Sequence, residues 1–317
     1  MSERIEVGTY KNGNYTVTIY SDGSKTRVTE GDAFIPSFPE SIELKITNKY
    51  DGEHPWFSSN KPENQEDAKL MENNNLEPLN KYIKSIRPLT EVTIEGGHLD
   101  HPELLSLLCY FRRRRVPVKI IIGQDYFCGP EHLKYHRLLG WQQRGLMSNL
   151  GIILVDSENT EFIDKLNKFP NVTIIAEVGV FNGSDLDNLA EKGFNLLLRG
   201  YYSSDNNKEF SEKNFKDFEY NRDWLVKTID SEVIPAFEKV SFDNLALSQL
   251  GIDDTRFTSK DKDENNLYFG NDGEFSLYID MIKNEFSNSP YSKERYKIED
   301  FMTSDKMFRE LRKRRRL

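Results

Sequence analysis

Three histidines, His54, His98 and His101, are the side chains of this sequence best suited to metal chemistry. Imidazole and carboxylate groups bind Zn²⁺ and iron, and an acidic residue stands beside His54 and beside His101. His98 and His101 are three residues apart, but Pro102 follows directly, so the pair should straddle the start of a helix rather than share one helical face. We therefore predict that these histidines are polar loop residues and that they form no metal site. If the fold does bring His54 and His98 together, these two would be the metal ligands.

The chain has two cysteines, Cys109 and Cys128. Cys109 adjoins Leu108 in an apolar helical pattern, so we expect it to pack in the interior. Cys128 lies in a Phe-Cys-Gly-Pro segment that predicts a turn, and an unreactive loop thiol is the simpler interpretation. The sequence contains no P-loop, no G-x-G-x-x-G segment and no Ser-His-Asp or Cys-His pattern. Nucleophilic catalysis is therefore not predicted, and both thiols should be free in a reducing cytoplasm.

The sequence argues against a generally disordered protein and against a membrane protein. The 317 residues include 20 Phe and 15 Tyr, an aromatic content that argues against general disorder. No apolar stretch approaches the roughly 20 residues that a membrane helix needs, and the first residues lack the pattern of a signal peptide. We expect a cytoplasmic protein that does not contact a membrane.

Positive charge is concentrated in two runs, although the formal net charge is −9. Residues 112–115 are all arginine and stand at the predicted end of a helix, where cations complement the macrodipole. The second run is a tail that we expect either to contact nucleic acid or an acidic partner, or to act as a solubilising end. It consists of Arg312, Lys313, Arg314, Arg315 and Arg316. No aromatic residue is interleaved with these charges, so base stacking is not predicted.

Strand and helix patterns alternate through the middle of the chain. Apolar, β-branched strands separated by helices predict a parallel sheet covered by helices. The predicted strands are Ile42–Thr47, Glu91–Glu95, Val118–Ile122, Gly151–Val155, Val172–Val178, Phe194–Leu198 and Lys239–Phe242. We predict an α/β fold with a partial, TIM-like βα barrel at residues 41–250, and a doubly wound sheet is the alternative.

Two β-hairpins are predicted outside the barrel. Ile5–Tyr10 and Tyr15–Tyr20 alternate apolar and polar residues around a turn, which indicates an N-terminal β extension at residues 1–40. Leu267–Gly270 and Phe275–Ile279 flank Asn-Asp-Gly, a typical hairpin turn. Residues 251–317 should therefore contain a C-terminal hairpin followed by the basic tail.

The active site of a βα barrel lies at the carboxyl ends of its strands. The candidate ligand-binding residues at these ends are Gly96, Gly97, His98, Glu177, Asp243 and Asn244. Gln124 and Arg199 also follow predicted strands. The two glycines permit a close approach of backbone to ligand, although a tight strand-to-helix turn explains them equally well.

Two segments of the barrel carry a family resemblance. Ile94–Leu105 resembles the GGEP…HP strand-loop-helix of radical S-adenosylmethionine (SAM) proteins, in which the loop backbone and the Glu hold the amino group of SAM. Both glycines are present here, and His98 stands in the place of the Glu. Residues 45–59 resemble the strand and loop that carry the CxxxCxxC cluster motif, notably in a bacteriophage-encoded branch of the family. The later segments that resemble this branch are Leu196–Tyr201, Val240–Ala246 and Tyr268–Asp280.

The resemblance implies which residues replace the cluster ligands. It places the three cysteine positions at Tyr50, His54 and Phe57, and Trp56 supplies the aromatic residue that usually precedes the third cysteine. A [4Fe–4S] cluster in this family requires three thiolates, which none of these side chains provides. The resemblance therefore implies a radical-SAM-type barrel without an iron–sulfur cluster and without radical chemistry, and SAM binding is not expected.

We expect a non-catalytic, phage-encoded protein of the bacterial host cytoplasm that binds a protein partner, such as a host or defence factor, or assembles with itself. Aromatic residues in place of cluster ligands suit either a packed plug or a protein contact. The alternative is a repurposed barrel site that binds SAM, a nucleotide or a divalent metal for non-radical chemistry. A third hypothesis is nucleic-acid contact through the basic tail.

Overall fold

The chain divides into two units. A hairpin unit comprises Met1–Glu43, Glu77–Thr90 and Lys260–Leu317, and a barrel unit comprises Leu44–Leu76 and Glu91–Ser259. The computed structural model describes residues 5–20, 25–31, 37–46, 76, 80, 83–95, 101–128, 132–154, 159–178, 186, 189–200, 226–227, 237, 240–242, 246, 250, 266–269 and 275–276.

Three antiparallel strands form the sheet of the hairpin unit. They are β1 (Glu6–Asn12), β2 (Tyr15–Tyr20) and β3 (Lys25–Thr29), in that spatial order. Gly13 has a φ of 61°, a left-handed value that suits the tight turn between β1 and β2. The structure confirms the two predicted strands and adds β3, so the extension is a three-stranded sheet rather than a hairpin.

A buried polar network joins this sheet to the segment before β4. The amide of Asn12, a fully buried residue, donates to the Tyr15 hydroxyl at 3.0 Å and to the Phe38 carbonyl at 2.9 Å. Tyr15 donates in turn to Glu40 Oε1 at 2.7 Å, and the Arg27 guanidinium binds both Glu40 oxygens at 2.8 and 2.7 Å. Burial, and then the hydrogen bond to Glu40, raise the pKa of Tyr15, so its hydroxyl keeps the proton that it donates.

A curled sheet of seven parallel strands forms a half-barrel. Its strands follow one another in space as they do in the chain. They are β4 (Ser41–Lys45), β5 (Glu91–Glu95), β6 (Val118–Gly123), β7 (Asn149–Ile153), β8 (Val172–Glu177), β9 (Asn195–Arg199) and β10 (Val240–Phe242). This order confirms the predicted mixed α/β fold and partial barrel. The predicted C-terminal hairpin is also present, as β11 (Asn266–Phe269) paired antiparallel with β12 (Phe275–Ser276).

In the described part of the barrel unit, four helices have defined bounds. They are α1 (Leu104–Arg113), α2 (Gln124–Cys128), α3 (His132–Gln143) and α4 (Thr160–Leu166). Cys128 is the last residue of α2, and the Gly129 and Pro130 of the predicted turn lie outside the described residues. Cys109 is half-buried rather than interior. Within the described ranges, no helix is both long enough and apolar enough to cross a membrane.

Apolar side chains pack on both faces of the half-barrel sheet. All six residues of β8 are buried, as expected of a parallel strand in the centre of a sheet. On one face, Ile121, Ile153 and Ile175 pack together with Leu197, and we call this set the inner cluster. Gly151 makes room for it, since a Cβ there would lie 2.8 Å from Ile121 Cγ1 and 3.2 Å from Ile175 Cδ1.

Candidate functional site

Glu177 and Arg199 end two neighbouring parallel strands and lie opposite each other in register. Adjacent strands are about 4.8 Å apart. The backbone N–H of Val178 donates to the Arg199 carbonyl at 2.8 Å, so strand pairing continues through this point. The backbone therefore places an acidic and a basic residue in adjacent positions at the carboxyl ends of the strands, the edge at which βα folds bind ligands.

This charged pair shares a face with the inner cluster. Glu177 follows Ile175 by two residues and Arg199 follows Leu197 by two, and alternate residues of a strand point to the same face. Glu177 is only 8% exposed, and Arg199 is half-buried. Charges interact more strongly beside an apolar layer than in water. The pair is thus suited to a ligand that presents an amine or hydroxyl to Glu177 and a carboxylate or phosphate to Arg199.

Gln124 adds a buried polar side chain at a third strand end. It directly follows β6 and opens α2, so the strand passes into a helix without a loop. Its side chain is only 2% exposed. The sequence places Gln124 and Arg199 at strand ends but gives no sign that Arg199 faces Glu177, because strand register depends on residues distant in sequence.

His101 has a structural role at the start of α1. It is 5% exposed, and its Nδ1 accepts a hydrogen bond from the Glu103 backbone N–H at 3.1 Å. The Glu103 carboxylate accepts from the backbone N–H of Leu76 at 2.9 Å. His101 precedes α1, which begins at Leu104, and one of its two ring nitrogens is engaged there. Nothing in the sequence indicated that Glu103 holds the chain at Leu76.

Of the predicted site residues, the structure describes Glu177. The others lie outside the described residues: Tyr50, His54, Phe57, Gly96, Gly97, His98, Asp243, Asn244, Arg312, Lys313, Arg314, Arg315 and Arg316. Among the residues that the structure does describe, no three His, Cys, Asp or Glu side chains are grouped so as to hold a metal ion. The pairing of His54 with His98 as metal ligands thus stays a prediction.

Scanned against models of protein families, the chain matches none of them, and a search of curated proteins found no match either. The radical SAM resemblance therefore rests on the sequence segments that carry it. What the structure adds is a mixed α/β chain whose half-barrel pairs Glu177 with Arg199 in register at its strand ends.

Proposed function

We propose that this protein is a non-catalytic, phage-encoded relative of the radical SAM proteins that binds a protein partner or a second copy of itself. The observation that carries the proposal is that the chain has too few cysteine thiolates to ligate an iron–sulfur cluster. The positions that resemble the cluster ligands hold Tyr50, His54 and Phe57. Cys109 lies within α1 and Cys128 at the end of α2, and two thiolates are too few for a cluster that needs three.

The strand order of the half-barrel also supports this proposal. Parallel strands that follow chain order are the frame on which βα barrels build sites at their strand ends. In the chain, β4 precedes the segment that contains Tyr50, His54 and Phe57. Large aromatic side chains are enriched where proteins bind one another, which favours a protein contact over radical chemistry.

Restoring the thiolates tests the assignment of these positions. The triple variant Tyr50→Cys/His54→Cys/Phe57→Cys, treated anaerobically with iron and sulfide, should take up about four iron atoms per chain and turn brown. The unchanged chain should take up none. Iron and sulfide analysis with electron paramagnetic resonance measures both, and Cys109→Ser/Cys128→Ser in the triple background controls for adventitious ligation. A stoichiometric cluster in the unchanged chain, or none in the triple variant, would contradict the proposal.

A photo-cross-linking amino acid at Phe57 tests the binding function. In the host cell it should form one discrete adduct, with a host protein or with a second copy of the chain, and the same group at the exposed Lys192 should not.

The second candidate function, a small-ligand site, is favoured by the pairing of Glu177 with Arg199. A rise in melting temperature with SAM, a nucleotide or a divalent metal that Arg199→Gln abolishes would favour that function over the first.

A further inference from the structure

Two arginine-bearing turns are neighbours at the amino-terminal edge of the half-barrel. Arg112 and Arg113 end α1 before β6, and Arg144 follows α3 before β7. The backbone N–H and hydroxyl of Ser148 donate to the Val118 carbonyl at 2.7 and 2.9 Å, which ties the two turns together. A Cβ on Gly145 would lie 4.0 Å from Arg112 Nε. This edge is opposite the strand ends that carry Glu177.

Four arginines of these turns are exposed, and we call them the arginine edge: Arg112, Arg113, Arg115 and Arg144. Within the part of the chain that the structure describes, none of them forms an ion pair with a carboxylate. The chain as a whole carries a formal charge of −9. A segregated positive patch on an acidic protein attracts a polyanion that the rest of the surface repels.

Arg115 combines an exposed basic side chain with an uncommon backbone conformation. Arg115 has a φ of 59°, in the left-handed region where glycine is the usual residue after a helix. The corresponding turn after α3 uses Gly145 at 65°, and the turn before β9 uses Gly193 at 72°. Leu89 has a similar φ of 69°, so the conformation alone does not mark a functional position. The helix dipole accounts for cations in the last turn of α1, but not for Arg115 beyond it.

We propose that the arginine edge binds the phosphate backbone of double-stranded nucleic acid. The guanidinium fork matches a phosphate in bidentate geometry. A protein partner would need an apolar centre to its interface. In the described part of the barrel unit the exposed large hydrophobic residue is Leu105, at 45%, and it lies in the first turn of α1, at the other end of that helix. The proposal does not depend on the function proposed above.

Fluorescence anisotropy of the full chain with a labelled DNA or RNA duplex of mixed sequence tests the proposal. Changing all four arginines of the edge to Gln should weaken binding about tenfold or more. The magnitude of the negative slope of log K for duplex binding against log salt concentration should also decrease, by about 0.9 for each phosphate that the variant no longer neutralises. A matched control changes four exposed lysines elsewhere to Gln: Lys11, Lys84, Lys192 and Lys227. The control should weaken binding less than about twofold, because it alters net charge without removing a group that binds phosphate.

Arg115→Gly separates binding from folding. Glycine relaxes the positive φ, so the melting temperature should not fall, whereas duplex affinity should fall about threefold because one guanidinium no longer binds phosphate. The proposal would be overturned if the four-lysine control weakened duplex binding as much as the four-arginine variant does. It would also be overturned if duplex binding were abolished only by removal of residues 312–316. Tight binding of polyglutamate with no binding of duplex would overturn it as well, since the edge would then recognise an acidic polypeptide.

Discussion

Arg27→Met should lower the free energy of unfolding of the hairpin unit by about 3 kcal/mol. Methionine keeps much of the side-chain length but leaves the Glu40 carboxylate, 2% exposed, without the guanidinium that binds it at 2.7 Å. Breaking a buried ion pair from one side typically costs about 3–5 kcal/mol, and we expect the lower end because the Arg27 side chain is 33% exposed. Amide hydrogen exchange in β2 measures the change. Tryptophan fluorescence would miss it, because Trp56, Trp141 and Trp224 all belong to the barrel unit.

An exposed ion pair provides the control. Lys165 and Glu161 are in contact at 2.7 Å in α4, and the Glu161 side chain is 76% exposed. Lys165→Met should change stability by no more than about 0.5 kcal/mol. If Arg27→Met has no larger effect than this, the buried network does not hold the sheet.

The same network should make the hairpin unit sensitive to alkaline pH. Burial and the hydrogen bond to Glu40 raise the pKa of Tyr15 above that of the unfolded chain, about 10. The stability that the protonated hydroxyl contributes is therefore fully present below about pH 10 and declines as the pH rises beyond it. Exchange in β2 measured across this range should show the decline, and Tyr15→Phe should remove it. A decline that persists in Tyr15→Phe would assign the effect to another group.

Gly151→Ala should destabilise the barrel unit by about 2 kcal/mol, because the methyl group overpacks the inner cluster. The new Cβ would lie 2.8 Å from Ile121 Cγ1, closer than atoms in a packed core can remain, and would make tight contacts of 3.2 Å with Ile175 Cδ1 and Lys119 Cε. Urea unfolding followed by tryptophan fluorescence measures the change, since Trp141 is 3% exposed in the same unit.

Gly140→Ala is the matched control for this substitution. Gly140 lies within α3, where the nearest atom to an added Cβ is the Arg144 guanidinium at 3.9 Å. Alanine there should stabilise the helix by up to about 1 kcal/mol. Ile121→Ala combined with Gly151→Ala should cost less than the sum of the two single changes, because each relieves the other. Strict additivity would show that Ile121 and residue 151 do not compete for space.

Local sequence patterns predicted most strands of the fold. β5 was predicted at its observed bounds, Glu91–Glu95, because apolar, β-branched strands are encoded by neighbouring residues. β3 was missed, since Lys25–Thr29 contains one large apolar residue, Val28, which is 68% exposed. The strand is held instead by pairing with β2 and by the contact of Arg27 with Glu40.

The presence of two cysteines, Cys109 and Cys128, follows from the amino-acid sequence without any fold, because the number of possible thiolate ligands is a property of residue types. By contrast, the folded chain was needed to show that Glu177 faces Arg199 and that the turns of Arg112 and Arg144 are neighbours. Both juxtapositions follow from strand register and from helices that end at a common edge of the sheet. They join residues far apart in the chain, which local patterns do not relate to one another.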